Sequence, residues 1–495
     1  MCSTKTAIMW FRQDLRLYDN PALIKAVITG QILPIYILDG VNPESWSMGA
    51  ASRVWLHESL KVLNKALNGH LKLFVGDAIE IIEELVTLYN IDAVYWNRCY
   101  EPWRINRDSK IKAQLKTRKI DTQTFNGSLL WEPWTVLKND DTPYKVFTPF
   151  YRNGCMKKPE PRAPLNSPSE ISYFADKNQI SSSLKIEELK LFDNQSWQIK
   201  IQQEWRVGEL AAQQQLNSFC EDSLSQYQEG RDFPSLQATS KLSPHLHFGE
   251  ISPHQVWHRM TLEKAQVINN DPDHFLREIA WREFSYYQLY HFPQLPDEVF
   301  NSKFKHFKWR ENSESFHLWK RGQTGFPIVD AGMRELWQTG TMHNRVRMIV
   351  ASFLIKNQLL HWHKGECWFW DCLVDADLAS NSASWQWCAG SGADAAPYFR
   401  IFNPLLQSQK FDPQGDYLIR YCPELASLPP KLRHAPWLAK PEALELANIK
   451  LGIDYPLPIL DLKTTRLRAL DAFKALRKPD TLLQKETIPF ERENY

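Results

Sequence analysis

The sequence predicts an α/β fold followed by an all-α one: an N-terminal doubly wound, Rossmann-like parallel sheet, a long linker, and a C-terminal helical domain. Three observations carry this. Short apolar runs alternate with helical patterns over the first 130 residues, a stretch rich in Pro, Ser and Lys follows, and apolar residues at helical spacing dominate thereafter. The expected boundaries are 1–135 for the α/β domain, 136–205 for the linker, 206–480 for the helical domain and 481–495 for a short tail. At 495 residues the chain exceeds what one hydrophobic core organises, so several domains are expected.

The strands come first. AIMWF (7–11), ILPIYIL (32–38), LKLFVG (71–76) and DAVYWN (92–97) are apolar without clean alternation, as in parallel strands buried on both faces. Between them, SRVWLHESLKVLNKAL (52–67) and AIEIIEELVTLY (78–89) place apolar residues on one helical face. Such βαβα order predicts a parallel sheet. KKPEPRAPLNSPSEISYFADKNQISSSLK then reads as a connection over the surface. Beyond it, helices are expected over 207–220, 275–292, 326–340 and 344–363, with no internal repeat.

Composition narrows the function. Lys plus Arg total 59 against 57 for Asp plus Glu, so any nucleic-acid contact must come from a local basic patch. Eight dispersed cysteines form no disulfide framework, and no apolar run reaches membrane length. A soluble, cytoplasmic protein is expected, without membrane contact. Twenty tryptophans are far above ordinary usage, and ten of them fall between Trp257 and Trp387.

Two patterns invite misreading. GSGADA (390–395) fits a dinucleotide fingerprint but follows a Trp-rich helical segment rather than a strand. His361, His363, Cys367 and Cys372 match no usual zinc spacing and are expected to be ordinary core and surface positions. No hydrolytic machinery is visible.

Chemistry concentrates on helical faces. Asn344, Arg347 and Met348 stand at i, i+3 and i+4, as do Glu278, Trp281 and Arg282. Nearby, VDADLASNSASWQW (374–387) crowds two aspartates, an asparagine and two tryptophans together. Buried charge needs partners and buried indole N–H groups need acceptors, so this stretch is costly for a plain core.

WFRQDLRLYDNPAL, TSKLSPHLHFGEIS, TGFPIVDAGMREL, MHNRVRMIVASFL and DADLASNSASWQW followed by DAAPYFRIFNP, in that order, resemble the photolyase/cryptochrome family over residues 6 to 440. The resemblance implies an N-terminal antenna domain and a helical domain that binds FAD. It implies that Asp375, Asp377 and Asn381 line the isoalloxazine, with Arg347 paired to Asp375 and Asn381 at flavin N5. It further implies that Thr239, Ser240, Lys241, Leu242 and Ser243 form the phosphate-binding turn, supported by Tyr227 and Arg231. By the same likeness, Trp281 and Trp387 cradle a flipped pyrimidine dimer, and Glu278, Asn344 and Met348 contact it. Arg345 and Arg400 meet DNA phosphates, and Arg282 stands at the cofactor or at a phosphate. Trp385, Trp362 and Trp309 resemble an electron relay. Glu101, in NRCYEPW, resembles an antenna contact, with methenyltetrahydrofolate favoured over deazaflavin as the antenna chromophore.

The implied function is light-driven repair of cyclobutane pyrimidine dimers in UV-damaged DNA by a monomeric carbon–carbon lyase, with no metal. Two alternatives stay open. Repair of (6-4) photoproducts would call for histidines at the positions of Asn344 and Met348. A signalling cryptochrome would bind FAD without repair, often with a long C-terminal extension, where this sequence has only KPDTLLQKETIPFERENY.

Overall fold

In the computed structural model the described residues are 5–175, 183–265 and 270–476, so the expected tail at 481–495 lies outside them. Five parallel strands form the N-terminal sheet: β1 (Thr6–Phe11), β2 (Gln31–Leu38), β3 (Lys72–Val75), β4 (Ala93–Asn97) and β5 (Asp121–Phe125), in the order β3-β2-β1-β4-β5. Every residue of the central β1 is buried, and Met9 sits in register with Pro34 on one side and Tyr95 on the other. Two helical layers account for this. Ala7, Met9 and Phe11 pack with α1 (Pro21–Thr29) and α2 (Ala50–Ala66), while Ile8 and Trp10 pack with α3 (Ala78–Leu88) and α4 (Pro102–Thr117). Asn20 caps α1 and Asp77 caps α3, each accepting a first-turn backbone N–H. The predicted fold class is the observed one.

β5 is the strand that the sequence reading missed. Its sequence, DTQTF, is polar, and it lies at a sheet edge where only one neighbour and one half-buried face are required.

The connection that follows is pinned to the sheet. Ile32 accepts a backbone hydrogen bond from Phe174 and donates one to Ser172 (both 2.8 Å), and Leu184 donates to Leu73 (2.8 Å). Beyond it come the helices α5 (Glu209–Ser218), α6 (Pro253–Lys264), α7 (Asp271–His291), α8 (Ser313–Lys320), α9 (Pro327–Thr339), α10 (Asn344–Ser352), α11 (Trp362–Cys372), α12 (Leu378–Ala389) and α13 (Leu462–Ala475).

The helix expected over 344–363 is in fact two helices. After α10 the chain widens into a π turn at Phe353–Asn357, Leu359 turns left-handed (φ 61°), and α11 begins behind its cap, His361. The segment has neither Gly nor Pro, and its apolar pattern runs on across the break because both halves face the same core. The GSGADA motif ends a helix: Gly390 (φ 78°) closes α12, and the Ser391 and Gly392 N–H groups donate to Gln386.

Candidate functional site

Helix α12 packs against α7, α10 and α11, which brings the polar residues of four helices to one place. Asp377 begins it as an N-cap, accepting from Ser380 N–H at 2.8 Å. The same carboxylate accepts the Tyr286 hydroxyl of α7, and His247 Nδ1 stands 3.6 Å away. Burial alone would raise its pKa, but His247, Arg282 and Tyr286 overcome this and hold it at about 2. Asp377 is therefore a fixed negative charge at neutral pH.

Asp375 is held by two partners. Arg347 Nη2 reaches its two oxygens at 2.9 and 3.1 Å, and Ser243 Oγ donates to it at 2.6 Å. Arg347 is aimed by its own Nε, which donates to the Met342 carbonyl at 2.7 Å. Asn381 donates from Nδ2 to the Glu366 carbonyl of α11 at 3.0 Å. Asp375, Asp377 and Asn381 are each less than a tenth exposed. A guanidinium, two carboxylates and an amide fixed in a dry site suit a ring that presents donors and acceptors and takes on negative charge. His247 Nδ1, buried and 3.6 Å from Asp377, adds a further polar atom to this cluster. These residues fit FAD.

The expected phosphate turn, Thr239 to Ser243, is a tight one, with Lys241 left-handed (φ 52°) and exposed above a buried Leu242. Ser243, expected on a phosphate, donates its hydroxyl to Asp375, so the turn ties directly to the carboxylate cluster. Tyr227 is buried, and the Arg231 guanidinium lies over its ring at 5.3 Å.

Glu278, expected at the dimer, and Arg231, expected to support the phosphate turn, form one ion pair (2.5 Å). Trp281 lies flat against Phe147 at 3.8 Å between ring centroids, so one indole face is already covered. Phe147 belongs to the stretch expected as linker. Met348, Trp387 and Arg400 meet around one small cavity with Lys356, whose ammonium donates to the Arg400 carbonyl at 2.9 Å. Arg400 is exposed.

Two arginines are engaged within the chain. Arg345 is paired with Asp232 at 2.5 Å and lies over Phe411. Arg282 turns inward, donating to the Ser128 carbonyl (2.9 Å) and lying over Tyr286, so it positions Asp377's surroundings rather than presenting a charge at the surface.

A family model described as the FAD binding domain of DNA photolyase matches residues 275–475, and one described as DNA photolyase matches 7–169. A deoxyribodipyrimidine photo-lyase of Agrobacterium fabrum is 47% identical over 483 residues, spanning 96% of this chain and 99% of that one. The chain belongs to the photolyase/cryptochrome family. A crystal structure of a bacterial class III photolyase from Agrobacterium tumefaciens superposes with a TM-score of 0.92 at 46% identity, covering 97% and 99% of the two chains. Cryptochrome-2 of Arabidopsis thaliana is 35% identical, covering 97% of this chain and 80% of that one. The architecture expected from the sequence, an α/β domain and a helical FAD-binding domain, is that of this family. The expected enzyme class is the one the photo-lyase relatives carry. Among the described residues no helix is long and apolar enough to cross a membrane.

In this photolyase/cryptochrome chain the three expected relay indoles lie along α11 and its neighbours. Trp385 and Trp362 are buried, and Trp309 is partly so. The rings of Trp309 and Trp362 both contact His361, at 5.2 and 5.5 Å. Burial, with the nearby His363 and Lys364 charges, lowers the His361 pKa to about 4, so a neutral ring bridges the two indoles. Trp385 reaches α11 because residue 365 is glycine: a Cβ there would lie 2.1 Å from Trp385 Cη2. Trp385 also meets Phe369 and Trp319 edge-on. On α11, His363 and Cys367 stand one turn apart and do meet, with Sγ 3.5 Å from Nε2 and Glu366 on the other ring nitrogen, while Cys372 is buried.

Sequence reasoning missed His247, Tyr286, Phe147, Gly365 and His361. Only His247, inside SPHLHFGE, carried a local signal.

Proposed function

We propose that this protein repairs cyclobutane pyrimidine dimers in UV-damaged DNA with light, as a single chain using FAD. The observation that carries the reading is the convergence of α7, α10 and α12. Those helices carry Glu278 and Trp281, then Asn344, Arg347 and Met348, then Trp387; Met348 and Trp387 line one cavity, Arg347 pairs with Asp375, and Asp377 caps α12.

Bound FAD in its reduced form would supply, on absorbing light, the electron that opens the cyclobutane ring and would then take it back. The chain's own groups do the rest. Arg347, held by Met342 and Asp375, offers a fixed positive charge next to the ring, and the low exposure of its partners strengthens that field. Asp377 stays ionised and would accept N–H groups of a bound cofactor. Asn381, seated on the Glu366 carbonyl, would offer its amide to the ring.

The lesion is flipped from the duplex at a cost of a few kcal/mol, least at a damaged and poorly stacked step. Trp281, its back face held by Phe147, offers its other face to a base, and Trp387 offers a second wall. Met348 gives a soft thioether contact, and Asn344 and Glu278 supply polar ones. Arg400, exposed on a segment anchored by Lys356, meets a phosphate, and Arg345 contributes less because Asp232 already neutralises it.

Selectivity for the cyclobutane lesion rests on Asn344 and Met348, which stand where repair of (6-4) photoproducts would call for histidines. The imidazole beside Asn344, that of His343, caps α10 by accepting from Arg345 N–H, and burial lowers its pKa to about 4. It is neutral at working pH and serves the helix. For the antenna, Glu101 pairs through one oxygen with Arg104 (3.3 Å), while its buried Oε2 has no partner. A carboxylate oxygen so placed suits the N–H groups of a pteridine, which favours a folate. The test is an absorption spectrum of the purified protein with an assay of dimer loss in the light and in the dark. Flavin bands and light-dependent loss support the proposal, and loss of dimers in the dark overturns it.

A further inference from the structure

A cavity of about 340 Å³ opens away from the residues considered so far, at the lower end of the roughly 300–1,000 Å³ typical of small-molecule sites. Its walls are the first turns of two helices. Asn312 caps α8 by accepting from Ser315 N–H (2.9 Å), and Asp461 caps α13 by accepting from Thr464 N–H (2.7 Å). All four residues line the space, so the positive ends of both helix dipoles border it.

Two guanidiniums share the same walls. Arg468 donates from Nη2 to the Asn357 carbonyl at 2.6 Å. Arg310 is anchored through its backbone, which donates to the Leu359 carbonyl at 2.8 Å, and its guanidinium has no hydrogen-bond or ion-pair partner among the described residues. Burial, joined by the repulsion of Arg310, lowers the Arg468 pKa, which marks two like charges held near each other with no carboxylate paired to either. Asp461, the one acid on the wall, is engaged at the start of α13.

The rest of the lining is not that of an ordinary solvent-filled cleft. Gln358 is 3% exposed and spends Nε2 on the Ser315 carbonyl (3.4 Å), leaving Oε1 buried with no partner. Ile459 and Leu460 supply an apolar side. A partner that satisfies every wall carries a multiply charged oxyanion for the arginines and the helix start, a hydrogen-bond donor for Gln358, and an apolar or flat body.

We propose that this cavity binds a small phosphate monoester of mononucleotide size, its phosphate between Arg310, Arg468 and the first turn of α13, and an N–H or O–H of its body on Gln358 Oε1. The planar fork of arginine matches phosphate oxygens two at a time, and helix starts favour the dianion of a monoester over the single charge of a DNA phosphodiester.

The experiment uses the full chain carrying its FAD, so that adenosine cannot enter the cofactor site. The probes are inorganic phosphate, adenosine monophosphate and an undamaged oligonucleotide, measured by equilibrium dialysis at constant ionic strength. One saturable site per chain is expected, with adenosine monophosphate at least tenfold tighter than inorganic phosphate. Arg310→Gln should weaken both by tenfold or more, and it should not lower the unfolding midpoint, because that guanidinium has no hydrogen-bond or ion-pair partner among the described residues and only repels Arg468. Arg468→Lys, which keeps the charge but not the fork, should weaken the monophosphate less. No saturable binding of either small anion, or binding indifferent to Arg310→Gln, would overturn the assignment. So would an Arg310→Gln effect confined to the oligonucleotide, which would identify the source as DNA backbone.

Discussion

Gly365→Ala tests the packing on which the proposed relay depends. The added methyl would lie 2.1 Å from Trp385 Cη2, 2.4 Å from Cζ3 and 2.7 Å from Leu354 Cδ2. Carbon atoms settle about 3.5–4.0 Å apart, so the indole and α11 must separate by roughly 1.5 Å. Trp385 is 2% exposed and flanked by Phe369 and Trp319, which leaves it nowhere to go without moving them. Over-packing of this kind costs about 1–3 kcal/mol. Replacing glycine by alanine inside a helix returns about 1 kcal/mol, so a net loss of up to about 2 kcal/mol is expected. Urea unfolding should show a lower midpoint with the same slope, and photoreduction of bound oxidised FAD, followed by absorbance, should slow as Trp385 is displaced. A variant about 1 kcal/mol more stable than the parent, with unchanged photoreduction, would refute the reasoning, because only the propensity gain would then be at work.

Trp385→Phe keeps most of the volume but offers a ring that is harder to oxidise; light should no longer reduce oxidised FAD, while dithionite-reduced enzyme still repairs dimers, and normal photoreduction would reject the relay role. Binding to dimer-containing DNA should lose affinity with salt at a log–log slope of roughly −3 to −4, and Arg400→Ala should make it shallower by about 0.9, more than Arg345→Ala does, as fluorescence anisotropy across a salt series would show. Asp377, held at about 2 against its usual 3.8, contributes stability that is complete above pH 4 and lost as pH falls through 2. That contribution is about 2 kcal/mol, so Asp377→Asn should flatten the acid limb of an unfolding profile between pH 4 and 2, and an unchanged limb would exclude the carboxylate.

Much of the fold was legible because burial leaves a plain mark. β1, β2 and β4 are apolar apart from Thr6, Gln31 and Asn97 at their ends, and their sheet needs little more information than that. β5 was not legible, since an edge strand of Asp, Thr and Gln has no apolar demand to meet. The break between α10 and α11 was hidden for the opposite reason: the apolar pattern persists while the backbone widens at Phe353–Asn357. In the site, residues one helical turn apart could be grouped from spacing, and the Arg347–Asp375 pair was anticipated by resemblance and is present. What could not be read were contacts made across the fold. Phe147 against Trp281, Tyr286 on Asp377, and the pairing of Arg345 with Asp232 depend on how helices are placed, and no local pattern encodes that.

The proposed repair of cyclobutane dimers and not of (6-4) photoproducts turns on Asn344 and Met348, beside a His343 that is neutral and caps α10. The most direct measurement gives chemically reduced holoenzyme one light dose on two duplexes of the same sequence, one with a single cyclobutane dimer and one with a single (6-4) photoproduct. Intact pyrimidines are then scored by chromatography against dark controls. The expected result is restoration of the cyclobutane duplex in the light alone and none of the (6-4) duplex. Repair of the (6-4) lesion, or no repair of either by protein that retains its FAD, would contradict it.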